Sequence, residues 1–334
     1  RTAAPRLRLG DPIELAHQAV ERTERQAGRI ITPDDDEWPV QLDDLRRISR
    51  DTGQKVDRDV VPPLCLWLRG TPRLADIARR SVAVVGSRAS TPYGNHVATE
   101  LAYGIAERGW CVVSGGAYGI DAQAHRGALT AGGCTVVVLA CGIDRAYPIA
   151  HASLFERVIE DGLIISEWPP GADPHRHRFL IRNRVIAALT RGTVVVEASA
   201  RSGARQTAGR ALLLGRPTMA VPGPVTSAMS VGSHQILRAE GARLVTTAAE
   251  VIEEVGQIGD DLAPLVHGRE REHDHLGPTL NQVLDGVPAR PSVGPETIAA
   301  NVGLSLRVVL RSLPALKDAG FVTQDESGWR LSRR

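Results

Sequence analysis

From Ser81 to about Gly256 the chain alternates short β-branched runs with stretches of helical periodicity. That alternation is the signature of a parallel sheet covered by helices on both faces, so the fold class is α/β. The runs predict strands over Val82–Val85, Cys111–Val113, Thr135–Leu139, Leu163–Ser166, Thr193–Val196, Thr218–Val221 and Arg243–Val245. Each of the first six runs ends in a loop: Gly86-Ser87-Arg88, Ser114-Gly115-Gly116, Cys141-Gly142, Glu167-Trp168-Pro169, Glu197-Ala198-Ser199 and Pro222-Gly223-Pro224. Ligands of open parallel sheets bind beyond the carboxyl ends of the strands, so these loops are expected to share one functional rim.

The flanks read differently. Residues 1–80 combine a helical stretch near Pro12–Ala27, the polar run Asp34–Trp38 and a Pro62-Pro63 turn leading into Leu64–Leu68, and are expected to form an accessory segment. The first residue is Arg1 rather than Met, so this segment is expected to be a partial helical domain. Residues 256–277 carry Asp260-Asp261 and the mixed charges of Arg269–His275 without helical period, and read as a flexible linker. Residues 278–334 predict helices over Thr279–Asp285, Glu296–Val302 and Leu306–Lys317, with Pro314 inside the third. Strands over Phe321–Thr323 and Trp329–Leu331 follow, around Gly328, so the pattern is that of a winged-helix domain.

Length and composition bound the function. At 334 residues the chain suits two domains, or one large domain with attachments. The four cysteines, Cys65, Cys111, Cys134 and Cys141, contain no CxxC pair and support neither a disulfide framework nor a zinc site. No apolar run approaches a membrane span and no signal peptide is visible, so a cytoplasmic protein without a membrane partner is expected. The net charge of +2 conceals a segregation. Asp173–Arg216 holds nine arginines (176, 178, 182, 184, 191, 201, 205, 210 and 216) against Asp173 and Glu197, a local +7 that leaves −5 on the other 290 residues. A solvated helix face usually mixes both signs, and this run holds too few acids to pair its arginines. Along the helical run Phe179–Leu189, Arg178 and Arg182 share a face while Phe179, Ile186 and Leu189 mark the apolar side, which sets Arg182-Asn183-Arg184 across the boundary.

The loops exclude several chemistries. Gly86-Ser87-Arg88-Ala89-Ser90 lacks the second glycine of a dinucleotide fingerprint, which argues against NAD or FAD and leaves no cofactor indicated. Lys55 and Lys317 are the only lysines and neither follows a glycine, so there is no Walker A loop. No serine sits in G-x-S-x-G. What remains is a rim of backbone N–H groups, hydroxyls and Arg88, suited to a phosphate, since a simple helix cap needs no guanidinium. A second anion seat is expected at Ser202, Gly203 and Thr207, and two seats joined by an arginine ridge can track an extended chain of phosphates. His175 and His177 alternate with arginines that repel a cation, so no metal site is expected there. Asp121 and His125, four apart in a helix, read as a structural hydrogen bond in preference to an acid–base pair. Phe179 and Tyr118 are the available aromatic platforms on the rim.

The segments VAVVGSRASTPYG (82–94), VSGGAYGIDAQAH (113–125), TVVVLACGIDRAYP (135–148), LIISEWPPGADPHRHRFLIRNRVIAAL (163–189), VVVEASARSGARQTAGRALLLGRP (194–217) and AVPGPVTSAMSVGSHQIL (220–237) resemble the DNA-processing DprA/Smf family over nearly all of residues 60–250. The resemblance implies an extended Rossmann-like core over 81–255 that forms a homodimer, binds single-stranded DNA without enzymatic action and hands strands to the recombinase RecA in natural transformation. It carries the family's DNA pocket onto Ser87, Arg88, Gly115, Gly116, Phe179, Arg182, Asn183, Arg184, Ser202, Gly203 and Thr207, and the neighbouring Arg178 and Arg205 are added as candidate DNA contacts. Gly116 stands where many members have leucine, Gly203-Ala204-Arg205-Gln206-Thr207 replaces the commoner Gly-Ser-Leu-Ile-Thr, and His234 replaces a usual asparagine.

Two other functions compete with this reading. A nucleoside-monophosphate phosphoribohydrolase of similar fold needs a Pro-Gly-Gly-x-Gly-Thr-x-x-Glu signature, which Pro222-Gly223-Pro224 does not continue. A winged-helix regulator of duplex DNA would read with the third C-terminal helix, whose only cations are Arg307, Arg311 and Lys317.

Overall fold

The structure, a computed structural model, describes residues 11–51, 61–257, 259–264, 273 and 275–332. The chain divides into two compact units, one ending at Pro264 and one following it. Much of the expected linker, residues 258, 265–272 and 274, lies outside the described residues, as do 1–10 and 52–60 of the N-terminal segment.

The first unit opens with α1 (Pro12–Arg25), whose first turn is capped by Asp11 accepting from the Ile13 N–H. It is followed by β1 (Gly28–Ile31), a 3-10 turn (Val40–Asp44), α2 (Leu45–Asp51), β2 (Leu66–Arg69) and α3 (Leu74–Arg79). The seven predicted strands then appear as β3 (Ser81–Val85), β4 (Cys111–Ser114), β5 (Thr135–Leu139), β6 (Leu163–Ser166), β7 (Gly192–Val195), β8 (Thr218–Ala220) and β9 (Ala242–Leu244). Between them run α4 (Pro92–Glu107), α5 (Ile120–Thr130), α6 (Ala152–Asp161), α7 (Arg176–Leu189), α8 (Ala204–Leu213) and α9 (Val231–Leu237), and α10 (Ala248–Val255) closes the unit.

One sheet holds all nine strands in the order β1-β2-β6-β5-β4-β3-β7-β8-β9. From β6 to β9 every pair is parallel, and β1 and β2 add an antiparallel edge beside β6. The N-terminal segment set apart in the sequence therefore supplies two strands of the core sheet. Alternation within β3 assigns the two cores: Val82 and Val84 pack with Leu101 and Ile105 of α4 and Val251 of α10, while Ala83 and Val85 pack with Val185 and Ile186 of α7. Leu42 and Leu45 of the N-terminal segment join the second core, which ties that segment to α7. The chain starts the parallel sheet at β3, winds outward to β6, then returns to the other side of β3 with β7. This reversal leaves a crevice at the carboxyl ends of β3 and β7, the place where open α/β sheets bind ligands.

The second unit contains α11 (Pro278–Asp285), α12 (Pro295–Val302), α13 (Leu306–Asp318) and the antiparallel ribbon β10 (Val322–Asp325) and β11 (Gly328–Leu331). Val283, Ile298, Val309, Leu313, Leu316 and Trp329 form its core. Helix α13 runs through Pro314. No single helix among the described residues is long and apolar enough to cross a membrane.

Candidate functional site

A cavity of about 570 Å³ opens in the crevice between β3 and β7. Its floor is the loop after β3. Ser87 donates its N–H to the Glu197 carbonyl at 2.8 Å, which stitches this loop to the end of β7. The cap of α4 is Thr91, whose hydroxyl accepts from the Gly94 N–H while its own N–H is held by the buried Glu197 carboxylate at 2.9 Å. Gly86 and Ser87 are thus released from any capping duty, and Arg88 stands exposed at the loop's crest.

The wall is α7. Arg88 places its guanidinium over the Phe179 ring at 4.8 Å, and Tyr147 meets Phe179 at a tilt with 5.5 Å between centroids. Asn183 reaches towards the Gly203 carbonyl at 3.4 Å, which joins α7 to the mouth of α8. There Ser202 accepts from the Ala204 N–H and Thr207 is buried at the cavity edge. The cavity therefore collects Ser87, Arg88, Phe179, Arg182, Asn183, Ser202, Gly203 and Thr207 of the candidate residues. Arg176, Tyr147 and Asp121 line it as well. Arg176 is one of nine arginines in the basic run with no motif to distinguish it, and Tyr147 sits in the motif ending Ala146-Tyr147-Pro148; only the fold turns it towards Phe179.

Electrostatically the cavity is cationic. Arg88, Arg176 and Arg182 face the single carboxyl of Asp121. Burial raises the Asp121 carboxyl above its ordinary value, against the opposing pull of Arg182 and the Ala117 N–H. Burial also pushes the Arg182 guanidinium down to about 10, which keeps it a cation at neutral pH.

The remaining candidates lie elsewhere, for identifiable reasons. Gly115 and Gly116 do not line the cavity but pack behind it. A Cβ on Gly115 would fall 2.2 Å from Arg182 Nη1, and Gly116 combines a φ of +68° with Phe155 and Val137 at 2.8 Å from where a Cβ would be, which excludes a leucine there. Arg184 is turned away and forms a bidentate pair with Glu167 at 2.6 and 3.0 Å. Arg178 donates to the Asp173 carbonyl at 2.6 Å and lies over Trp168, while Arg205 donates to the Ala200 carbonyl. Nor does α7 present a charged face to solvent beyond residue 181: Arg182 to Leu189 are all buried, because the helix is packed between sheet and N-terminal segment. The acids missing from the basic run are supplied from outside it, by Glu167 for Arg184 and by Asp44 for Arg216. Asp121 and His125 are not bonded to each other; His125 pairs with Thr135 at 2.7 Å and Asp121 accepts from the Ala117 N–H at 3.3 Å.

Comparison with known proteins agrees with the motifs. The model of the family described as DNA recombination-mediator protein A matches residues 29–256. A Mycobacterium tuberculosis chain bearing the DprA name is 46% identical over 325 residues, 96% of this chain and 81% of that one. The chain belongs to the DprA family. Within it, the DNA processing protein DprA of Streptococcus pneumoniae is 40% identical over 192 residues, covering 58% of this chain and 67% of that protein. The X-ray structure of S. pneumoniae DprA superposes with a TM-score of 0.64 at 34% identity over 76% of this chain and 81% of the other. DNA processing protein A of Helicobacter pylori, whose structure was determined for its single-stranded DNA binding mode, superposes with a TM-score of 0.56 at 28% identity over 67% of this chain and 94% of that one. The match to DprA begins at Arg29, inside β1, in keeping with the two N-terminal strands being part of the sheet.

Proposed function

We propose that this chain binds single-stranded DNA without cutting it, and that it acts in the cytoplasm as a homodimer that delivers the strand to RecA during transformation or recombination. The observation that carries the DNA-binding reading is the cavity itself: three guanidinium groups against one carboxyl, with the Phe179 and Tyr147 rings side by side on its wall. Guanidinium groups hold phosphates and aromatic faces hold bases, and an unpaired base is needed to reach a concave pocket of about 570 Å³. A duplex keeps its bases stacked inside, so it offers the cavity only backbone. The H. pylori relative, described for its single-stranded DNA binding mode, supports the same choice of ligand.

Ser87, Arg88, Phe179, Arg182, Asn183, Ser202, Gly203 and Thr207 are the residues assigned to the strand, joined by Arg176 and Tyr147. A non-enzymatic role is supported by the separation of Asp121 from His125, which removes the nearest candidate acid–base pair. For the C-terminal unit the reading is a winged helix, supported by three helices, the ribbon β10–β11 and the left-handed Gly303 that turns α12 into α13.

The test is fluorescence anisotropy with the full chain and labelled strands of random sequence, single and double. A fragment beginning at residue 81 is unsuitable, since it would strip β1 and β2 from the sheet. Tighter binding of the single strand is expected; equal or weaker affinity than for the duplex refutes the assignment.

A further inference from the structure

The Arg88 loop has a second side. There lies another cavity, of about 520 Å³, which shares Arg88 and Ala89 with the first. Its lining contains Arg126, Tyr118, Asn95 and Gln123 and no aspartate or glutamate. Arg88 and Arg126 form no ion pair among the described residues, so both guanidinium groups are open to an anion. Tyr118 is 50% exposed, yet it is held in place. Its ring meets the edge of His151 at 4.9 Å, His151 in turn packs against Phe155 at 6.1 Å, and His151 Nδ1 is fixed to the Gly116 carbonyl at 3.0 Å. A ring braced from behind and bare in front is a stacking platform whose ordering cost is met by the fold. Gln123 adds a side-chain amide and Asn95, whose Oδ1 accepts from the Ser90 hydroxyl, adds an NH2 group, which suit a base edge or a sugar–phosphate oxygen.

Resting on the single-strand reading of the first cavity, we propose that the strand crosses the Arg88 loop and continues into this second cavity, where a base stacks on Tyr118 and the next phosphate is held by Arg126. Arg88 then lies between two successive nucleotide seats and touches both. The path runs from Phe179 over the loop crest to Tyr118, and pairs one aromatic platform with guanidinium groups on each side. Two cavities one loop apart, each offering guanidinium groups beside an aromatic ring, fit a polymer of repeating base and phosphate; a mononucleotide uses one.

The test compares two labelled oligothymidylates on the full chain: the shortest that binds measurably, and one several nucleotides longer. Tyr118→Ala and Arg126→Glu are each expected to weaken the longer oligomer about tenfold while leaving the shorter unchanged, with Tyr118→Phe binding as the unaltered chain does. Both side chains are exposed, so the thermal midpoint should stay within a degree or so, which the same samples report. The inference is overturned if both variants bind the longer oligomer normally, or if Arg126→Glu weakens both lengths alike, since that is a field effect and not a seat. Arg88→Ala separates the two readings. Should it leave both lengths unaffected, the first cavity is not the DNA site; should it weaken both while Tyr118 and Arg126 prove silent, only the continuation fails.

Discussion

Arg182 enters from α7 and donates to the carbonyl of Gly115 at 2.7 Å, with its guanidinium occupying the space that a side chain on residue 115 would need. It also donates to the Val138 carbonyl, so one cation ties the ends of β4 and β5 to the cavity wall. The guanidinium is the movable end of a long side chain, and a methyl group at 115 forces it, not the sheet, to yield. Gly115→Ala is therefore expected to lower stability by about 1–3 kcal/mol through loss of buried charge-assisted hydrogen bonds, read as a drop in the urea midpoint. An unchanged midpoint means that Arg182 does not brace the sheet.

Arg88 and Arg182 both line the cavity, but they differ in burial. Arg88→Ala removes an exposed side chain and should weaken single-strand binding about five- to tenfold for every sequence, with folding intact. Arg182→Ala should weaken binding and also destabilise the fold by about 3 kcal/mol, because its carbonyl partners lose their donor. Anisotropy with several sequences, alongside melting curves, distinguishes the two. A loss confined to particular sequences would point to base readout.

Salt dependence counts the phosphates held. Arg88, Arg176 and Arg182 in the first cavity predict a slope of log affinity against log salt of roughly −2, and a fourth contact at Arg126 brings it to roughly −3. Titrations at several salt concentrations should give the steeper value for long strands, with Arg126→Ala shifting it by about 0.7. A flat dependence contradicts a phosphate-gripping site.

Much of this was legible in the sequence, and the gaps have physical causes. Valine-rich runs such as Val82–Val85 identify buried parallel strands locally, and the glycine-rich loops after them identify the rim. Gly28–Ile31 and Leu66–Arg69 carry no such local signal; they are strands because an antiparallel partner awaits them at the β6 edge, a pairing that depends on the assembled sheet. The arginine run shows the same limit. Its local excess of charge is real, yet Arg184 and Arg216 are spent on Glu167 and Asp44, and Arg216 also on the carbonyls of Ala187 and Thr190. Composition counts acids nearby in sequence, whereas a guanidinium is satisfied by whatever oxygen the fold brings within reach.

His125 gives the chain an acid-sensitive core. The Thr135 hydroxyl donates to the Val112 carbonyl at 2.7 Å, so it can only accept from His125, which places the imidazole proton on Nδ1 and leaves Nε2 bare, buried and without a partner. A second proton would put a charge there with no acceptor, and burial, with His151 and Arg182 close by, pushes the group down from 6.5 to about 3. Because the folded value is depressed, its contribution to stability is fully present above pH 6.5 and is lost as the pH falls towards 3, where the unfolded chain takes up a proton that the folded one refuses. The loss should approach about 5 kcal/mol at the acid end. His125→Gln retains a donor to Thr135 and removes the titration. Urea midpoints between neutral pH and pH 4 should accordingly fall less steeply for the variant than for the unaltered chain; parallel curves would show that His125 is protonated as readily in the fold as outside it.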